Sequence, residues 1–186
     1  MAGGIFDAVV KRLGDQEPNL AGNKRAAVSV ILSERATPKI LLIERAESAN
    51  DPWSGQVAFP GGKFQEGDAS LRETAVRETR EEVGIDLDAS SEFLGYLGAF
   101  ATHTGGMEVV PVLFLLNRPV DVATNVEVRS HMWVDLGYLA SKEARTTRPV
   151  RFKGSEMQVP VFRAGSYVVW GLTHRIISSM LEGALA

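Results

Sequence analysis

The sequence predicts an α/β fold of the α+β kind, a mixed β-sheet sandwiched between helices, and three observations predict it. Short stretches rich in Val, Ile and Leu, bounded by Gly, Pro and Asn, recur along the chain and read as strands. Two longer segments, 70–83 and 166–181, carry apolar residues at helical spacing. Strands and helices intermix without an internal repeat or low-complexity tract, which points to one sheet packed between helices.

Taken in order, Ile5 to Leu13 reads as a short amphipathic helix at the periphery, followed by a connection containing Pro, Asn and Gly. Residues 1–24 are assigned to this leading segment and 25–186 to the main domain, a single domain overall. Arg25 to Leu32 and Lys39 to Ile43 form a strand pair around the turn-like Arg35-Ala36-Thr37-Pro38. Gln56 to Phe59 is a short strand ending at Pro60-Gly61-Gly62, where two glycines allow close approach of the backbone to another group. Ser70-Leu71-Arg72-Glu73 has capping-box spacing and Gly84 suits the position past a helix end, which bounds the central helix. Phe93 to Ala101, Glu108 to Leu116 and Met132 to Val134 are further strands. Arg148 to Phe152 and Met157 to Arg163 form a hairpin around Lys153-Gly154-Ser155, and Ser166 to Leu181 closes the chain as a helix.

Composition narrows the function classes. A chain of 186 residues with 45% hydrophobic and 23% charged residues has the mixture of an ordinary globular domain. Its formal net charge of −3 gives no general attraction to nucleic acid or to an anionic membrane, so neither is expected as a partner. Without cysteine, disulfides, thiolate metal sites and thiol nucleophiles are excluded, and a cytoplasmic setting is expected. The densest apolar run, Val109 to Leu116, is broken by Pro111 and falls far short of the roughly 18 residues of a membrane span. The opening residues do not resemble a signal peptide.

The segment that carries chemistry is Arg77-Glu78-Thr79-Arg80-Glu81-Glu82-Val83-Gly84-Ile85. At helical geometry Glu78, Glu81 and Glu82 share an arc of about 100°, beside an apolar arc of Leu71, Ala75, Thr79 and Val83. Three such carboxylates repel one another, and a hard divalent cation would offset the repulsion. Oxygen-rich sets suit Mg²⁺ or Mn²⁺, with the carbonyls of Gly61 and Gly62 as further donors. The plainer alternative is a solvated face balanced by an i,i+4 ladder of Glu73, Arg77 and Glu81.

The segment resembles the Nudix box, whose pattern is met by Gly62, Arg77, Glu78, Glu81, Glu82, Gly84 and Ile85. Asp68 stands where that family has its first Glu, one extra residue separates it from Arg77, and Thr79 replaces an aliphatic residue. The resemblance implies a Nudix-type fold and a metal-dependent hydrolase acting on a diphosphate linkage in a small nucleotide-like substrate. It implies metal binding by Glu78, Glu82 and Glu81, with Arg77 orienting a glutamate. The general base would be Glu81 or Glu127.

Within the family, the coenzyme A diphosphatase group is most similar, on Leu41-Leu42-Ile43-Glu44-Arg45-Ala46 and Gly55-Gln56-Val57-Ala58-Phe59-Pro60-Gly61-Gly62. Val110-Pro111-Val112, Asn125-Val126-Glu127-Val128 and Trp170-Gly171-Leu172-Thr173 follow in the same order. That implies coenzyme A or acyl-coenzyme A as substrate, substrate contacts at Arg45, Gly61 and Gly62, and a possible homodimer. The group's basic residue between the first two stretches is absent here. Hydrolysis of ADP-ribose or a nucleoside diphosphate sugar, and a Nudix-fold nucleotide sensor without catalysis, are the alternatives. Arg45 contacts a phosphate or is a solvated strand end. Trp53 stacks on a base or caps a loop, and His103 makes a loop hydrogen bond, since the three histidines show no metal-ligand spacing.

Overall fold

The structure is a computed structural model describing residues 4–20, 22, 24–48, 54–102, 106–152 and 154–182. In chain order its first half runs α1 (Ile5–Val10), β1 (Arg25–Leu32), β2 (Lys39–Arg45), β3 (Val57–Ala58), β4 (Gly61–Lys63), α2 (Leu71–Val83) and α3 (Leu87–Ser90). The second half runs β5 (Ser91–Tyr96), β6 (Phe100–Ala101), β7 (Glu108–Leu116), β8 (Val128–Asp135), α4 (Leu136–Ala140), β9 (Arg145–Phe152), β10 (Ser155–Ala164), β11 (Tyr167–Val169) and α5 (Gly171–Met180). Among the described residues, β1 to β8 form one mixed sheet and β9 to β11 a smaller antiparallel one.

The sheet is built around a split. β1 and β2 pair antiparallel only where they meet at their turn, with Leu32 opposite Ile40. Beyond it they diverge, and each takes another partner. β3 pairs with β2 through Ile43–Ala58 and Glu44–Val57. β4 pairs with β1 through Ala26–Lys63, Ala27–Gly62 and Val28–Gly61. The Phe59-Pro60 link therefore crosses the opening, and the Gly61-Gly62 pair is a short strand where a turn was expected. Parallel β7 covers the outer edge of β1 and antiparallel β8 that of β2, while β5 and β6 extend the β7 side.

Alternation along β1 divides the core, as a strand's period of two requires. Ala27 and Ile31 face a cluster with Leu71, Ala75 and Val83 of α2 and Leu87 of α3. Val30 and Leu32 face the other cluster, shared with α1, α4, α5 and β10. The mixed sheet thus lies between helices, as the sequence predicts.

Several boundaries differ from expectation. The leading helix is not peripheral, because Phe6 and Val9 are buried in the second cluster and Gly14 bridges Tyr96. The stretch 93–101 is two strands broken at Leu97-Gly98-Ala99, and β8 is far longer than 132–134. The closing helix begins at Gly171, because Tyr167–Val169 pairs with Phe162–Ala164 as a third strand beside the hairpin. Lys153, at the hairpin turn, lies outside the described residues, as do Trp53 and His103.

Candidate active site

Helix α2 begins where the sequence places its cap. The Ser70 hydroxyl accepts from Glu73 N at 3.1 Å, and the Glu73 carboxylate accepts from Ala69 N at 2.5 Å. From the leading segment, the Glu17 carboxylate accepts from Leu71 N at 2.8 Å, placing negative charge at the positive end of the helix dipole. Gly84, at φ 70°, ends the helix in the left-handed region that glycine occupies without strain. The last carbonyls are met from outside, by Ala123 N on Val83 O and Asn125 N on Glu82 O, each at 3.0 Å. This docking brings Glu127 to the acidic end of α2, where its charge acts on Glu78 and Glu82.

Glu82 is 3% exposed and points into the opening between β1 and β2. Its Oε2 accepts from Gly61 N at 2.8 Å, and Arg45 Nη1 stands 3.6 Å from Oε1. Burial pushes its pKa up to about 7, and the charges of Glu78 and Glu127 push the same way, against the opposing pull of the Gly61 amide and Arg45. Glu78, one turn earlier, lies against Gly62, where any Cβ would overlap the Glu78 carboxylate. A Cβ on Gly61 would overlap Ala27 O and Val28 Cα. These two close approaches explain why the chain carries glycine at both positions. Burial raises the pKa of Glu78 too, opposed by Arg77.

Arg77 organises the other side. Its Nε and Nη2 donate to the two oxygens of Asp68 at 2.9 and 3.0 Å, and Nη1 donates to Glu78 Oε1 at 2.8 Å. Nη2 also reaches Lys63 O at 3.1 Å, tying β4 to α2. Asp68 further accepts from Gln65 N and from the Thr74 hydroxyl. The bonds from Arg77 hold its carboxyl well below the usual carboxylate range. The extra residue between Asp68 and Arg77 is absorbed without losing this pair.

The structure therefore brings Arg45, Gly61, Gly62, Arg77, Glu78, Glu82 and Glu127 to one place. Glu81 is more exposed than buried Glu82 and half-buried Glu78: its side chain is 55% exposed and meets Arg77 Nη1 at 3.4 Å. Among the described residues no three Asp, Glu or His side chains converge closely enough to enclose an ion. Glu78 and Glu82 still suit a hard divalent cation, being oxygen donors four residues apart whose charge burial penalises. Mg²⁺ is commonly held by one or two carboxylates, with water and substrate phosphate completing its shell. Sequence reasoning passed over Ser29, the one polar residue of β1 after Arg25, and that hydroxyl within an apolar run was the available signal. It also gave Asp68, whose spacing departs from the box, no partner, and the structure pairs it with Arg77.

Known proteins share this sequence pattern and fold. The NUDIX domain family matches residues 23–152, which contain the main sheet and the acidic helix. The uncharacterised Nudix hydrolase NudL of Photorhabdus laumondii is 31% identical over 173 residues, covering 92% of this chain and 88% of NudL. NudL of Yersinia pestis is 32% identical over 163 residues, covering 87% and 80%. A MutT/nudix family protein from Enterococcus faecalis has the same fold at a TM-score of 0.55 and 19% identity, covering 91% of this chain and 65% of that one. With a family match spanning the sheet and acidic helix, and relatives above 30% identity along most of their length, the chain belongs to the Nudix hydrolases.

Proposed function

We propose that this hydrolase cleaves the diphosphate linkage of coenzyme A or acyl-coenzyme A, giving 3′,5′-ADP and phosphopantetheine or its acyl form, with Mg²⁺ or Mn²⁺ at Glu78 and Glu82. The observation that carries the hydrolytic reading is the pair of buried Glu82 and half-buried Glu78 set against Gly61 and Gly62. When bound, a divalent cation supplies positive charge against the diphosphate and acidifies water. Arg77 fixes Glu78 from behind, and the Gly61 amide fixes Glu82. Arg45, beside Glu82 Oε1, adds a cation at the rim that can meet a substrate phosphate. Glu81 or Glu127, both exposed at the acidic end of α2, accepts the proton of the attacking water. The water oxygen forms a new bond to phosphorus, and the bridging P–O bond breaks with its electron pair leaving on the other phosphate.

The coenzyme A reading is supported by the way its two similar stretches fold together. Arg45 N donates to Gln56 O at 3.0 Å, so β2 and β3 place both stretches beside the acidic helix. One observation favours ADP-ribose or a nucleoside diphosphate sugar instead: residues 46–54 contain no Lys or Arg to meet a 3′-phosphate. No helix among the described residues is long and apolar enough to cross a membrane.

The test is product analysis with purified protein, Mg²⁺ or Mn²⁺, and a panel of coenzyme A, acyl-coenzyme A, ADP-ribose and nucleotide sugars, beside Glu82→Gln. Cleavage of coenzyme A that disappears in the variant is expected. Preference for ADP-ribose keeps the site and replaces the substrate. Tight nucleotide binding without cleavage of any member makes the protein a sensor.

A further inference from the structure

Two hydroxyls are fully buried where α2 crosses β1, in a contact otherwise made by Ala27, Ile31, Leu71, Ala75 and Val83. The Thr79 hydroxyl donates to Ser29 Oγ at 2.7 Å, and Ser29 Oγ donates to Ala75 O at 3.0 Å. The backbone of the same serine faces the glycine turn, with Ser29 N donating to Pro60 O at 2.7 Å. The next residue is Gly61, whose amide donates to Glu82 Oε2, and Glu82 lies three residues beyond Thr79. The contacts form a closed circuit from Glu82 through Gly61, Pro60, Ser29 and Thr79 back to the helix.

Apolar packing of a helix on a sheet tolerates small slides and rotations, whereas hydrogen bonds are directional, and a buried hydroxyl that loses its partner is penalised. An aliphatic residue at 79 would fill the same space without fixing this register. We propose that Ser29 and Thr79 are positioning residues that set α2 against the Gly61 turn, holding Oε2 of Glu82 at the Gly61 amide and its Oε1 on the side facing Arg45. The proposal rests on the assignment of Glu78 and Glu82 to the hydrolytic site and not on the identity of the substrate.

The experiment compares Thr79→Val, which keeps shape and removes the donor, with Ser29→Ala, Thr79→Ser and Glu82→Gln. The readouts are kcat and KM on the best substrate of the panel, Mn²⁺ affinity without substrate, and the amide proton shift of Gly61 by NMR. Thr79→Val and Ser29→Ala are expected to lower kcat about tenfold with KM within about twofold, to weaken Mn²⁺ binding, and to move the Gly61 resonance. Thr79→Ser should restore all three. Wild-type kcat, Mn²⁺ affinity and Gly61 shift in folded Thr79→Val and Ser29→Ala would overturn the proposal. Loss of thermal stability alone, with those readouts unmoved, reduces the pair to packing and overturns it equally. If Glu82→Gln also leaves hydrolysis and Mn²⁺ binding intact, the site assignment beneath the proposal has failed instead.

Discussion

Glu82 and Asp68 are two buried carboxylates on opposite sides of Arg77 and Glu78, and their surroundings move them in opposite directions. Burial raises Glu82 from an ordinary 4.5 to about 7. A carboxyl whose folded-state pKa lies above its unfolded value contributes stability that is complete below the unfolded value and lost as pH rises through the folded one. Metal-free protein should therefore lose on the order of 3 kcal/mol as pH climbs from about 4.5 to 8, and Glu82→Gln should flatten that slope. Urea denaturation in EDTA across that range measures it, and equal slopes in the two proteins would refute the assignment. Asp68 carries the opposite sign: its pKa is depressed by Arg77, so its contribution is present above 3.8 and lost as the solution is acidified below it. Replacing Asp68 with Asn should cost about 2 kcal/mol at neutral pH, because Arg77 then loses its bidentate partner. Denaturation at pH 7 checks that cost.

At the scale of the element, α2 is held by contacts at both ends as much as by its own propensity. The Glu17 carboxylate meets its first turn, and residues 123–125 meet its last. Gly84 permits the second contact: a Cβ there would sit 3.2 Å from Ala123 Cβ and O, at a φ of 70° that a side chain resists. Gly84→Ala should cost about 1–2 kcal/mol. It should also speed hydrogen exchange at Ala123 and Asn125, because their carbonyl partners are at the altered helix end. Normal exchange at both amides would show that the loop bearing Glu127 is held by other contacts. The closing helix shows a local signal overridden by its neighbours: Tyr167–Val169 fits the helical spacing but is extended, because the free edge of β10 offers backbone partners. Gly171, at φ 64°, then starts α5 three residues after Val168.

Across the whole molecule, the leading segment joins parts that the sequence keeps far apart. Phe6 and Val9 fill the core on the face opposite α2, Arg12 pairs with Glu182 at 2.5 Å, and Glu17 reaches the start of the acidic helix. Phe6→Ala should therefore destabilise the protein by about 3 kcal/mol, the range of a buried aromatic truncation. A change below about 0.5 kcal/mol in thermal or chemical denaturation would return α1 to the periphery. By itself the sequence determined the position of α2, from Ser70, Gly84 and the period of Leu71, Ala75, Thr79 and Val83, because caps and periodicity are local properties. It also identified the box glutamates and the glycine pair, whose spacing is written along one short stretch. Tertiary structure alone decided that Arg45 faces Glu82, that Asp68 keeps its pair with Arg77 despite the added residue, that the amides of Ala123 and Asn125 cap the helix end and bring Glu127 near it, and that Ser29 meets Thr79. Those contacts depend on β1 and β2 parting after one shared pair and on which segments fill the opening, and such long-range neighbours leave no periodic trace in the chain.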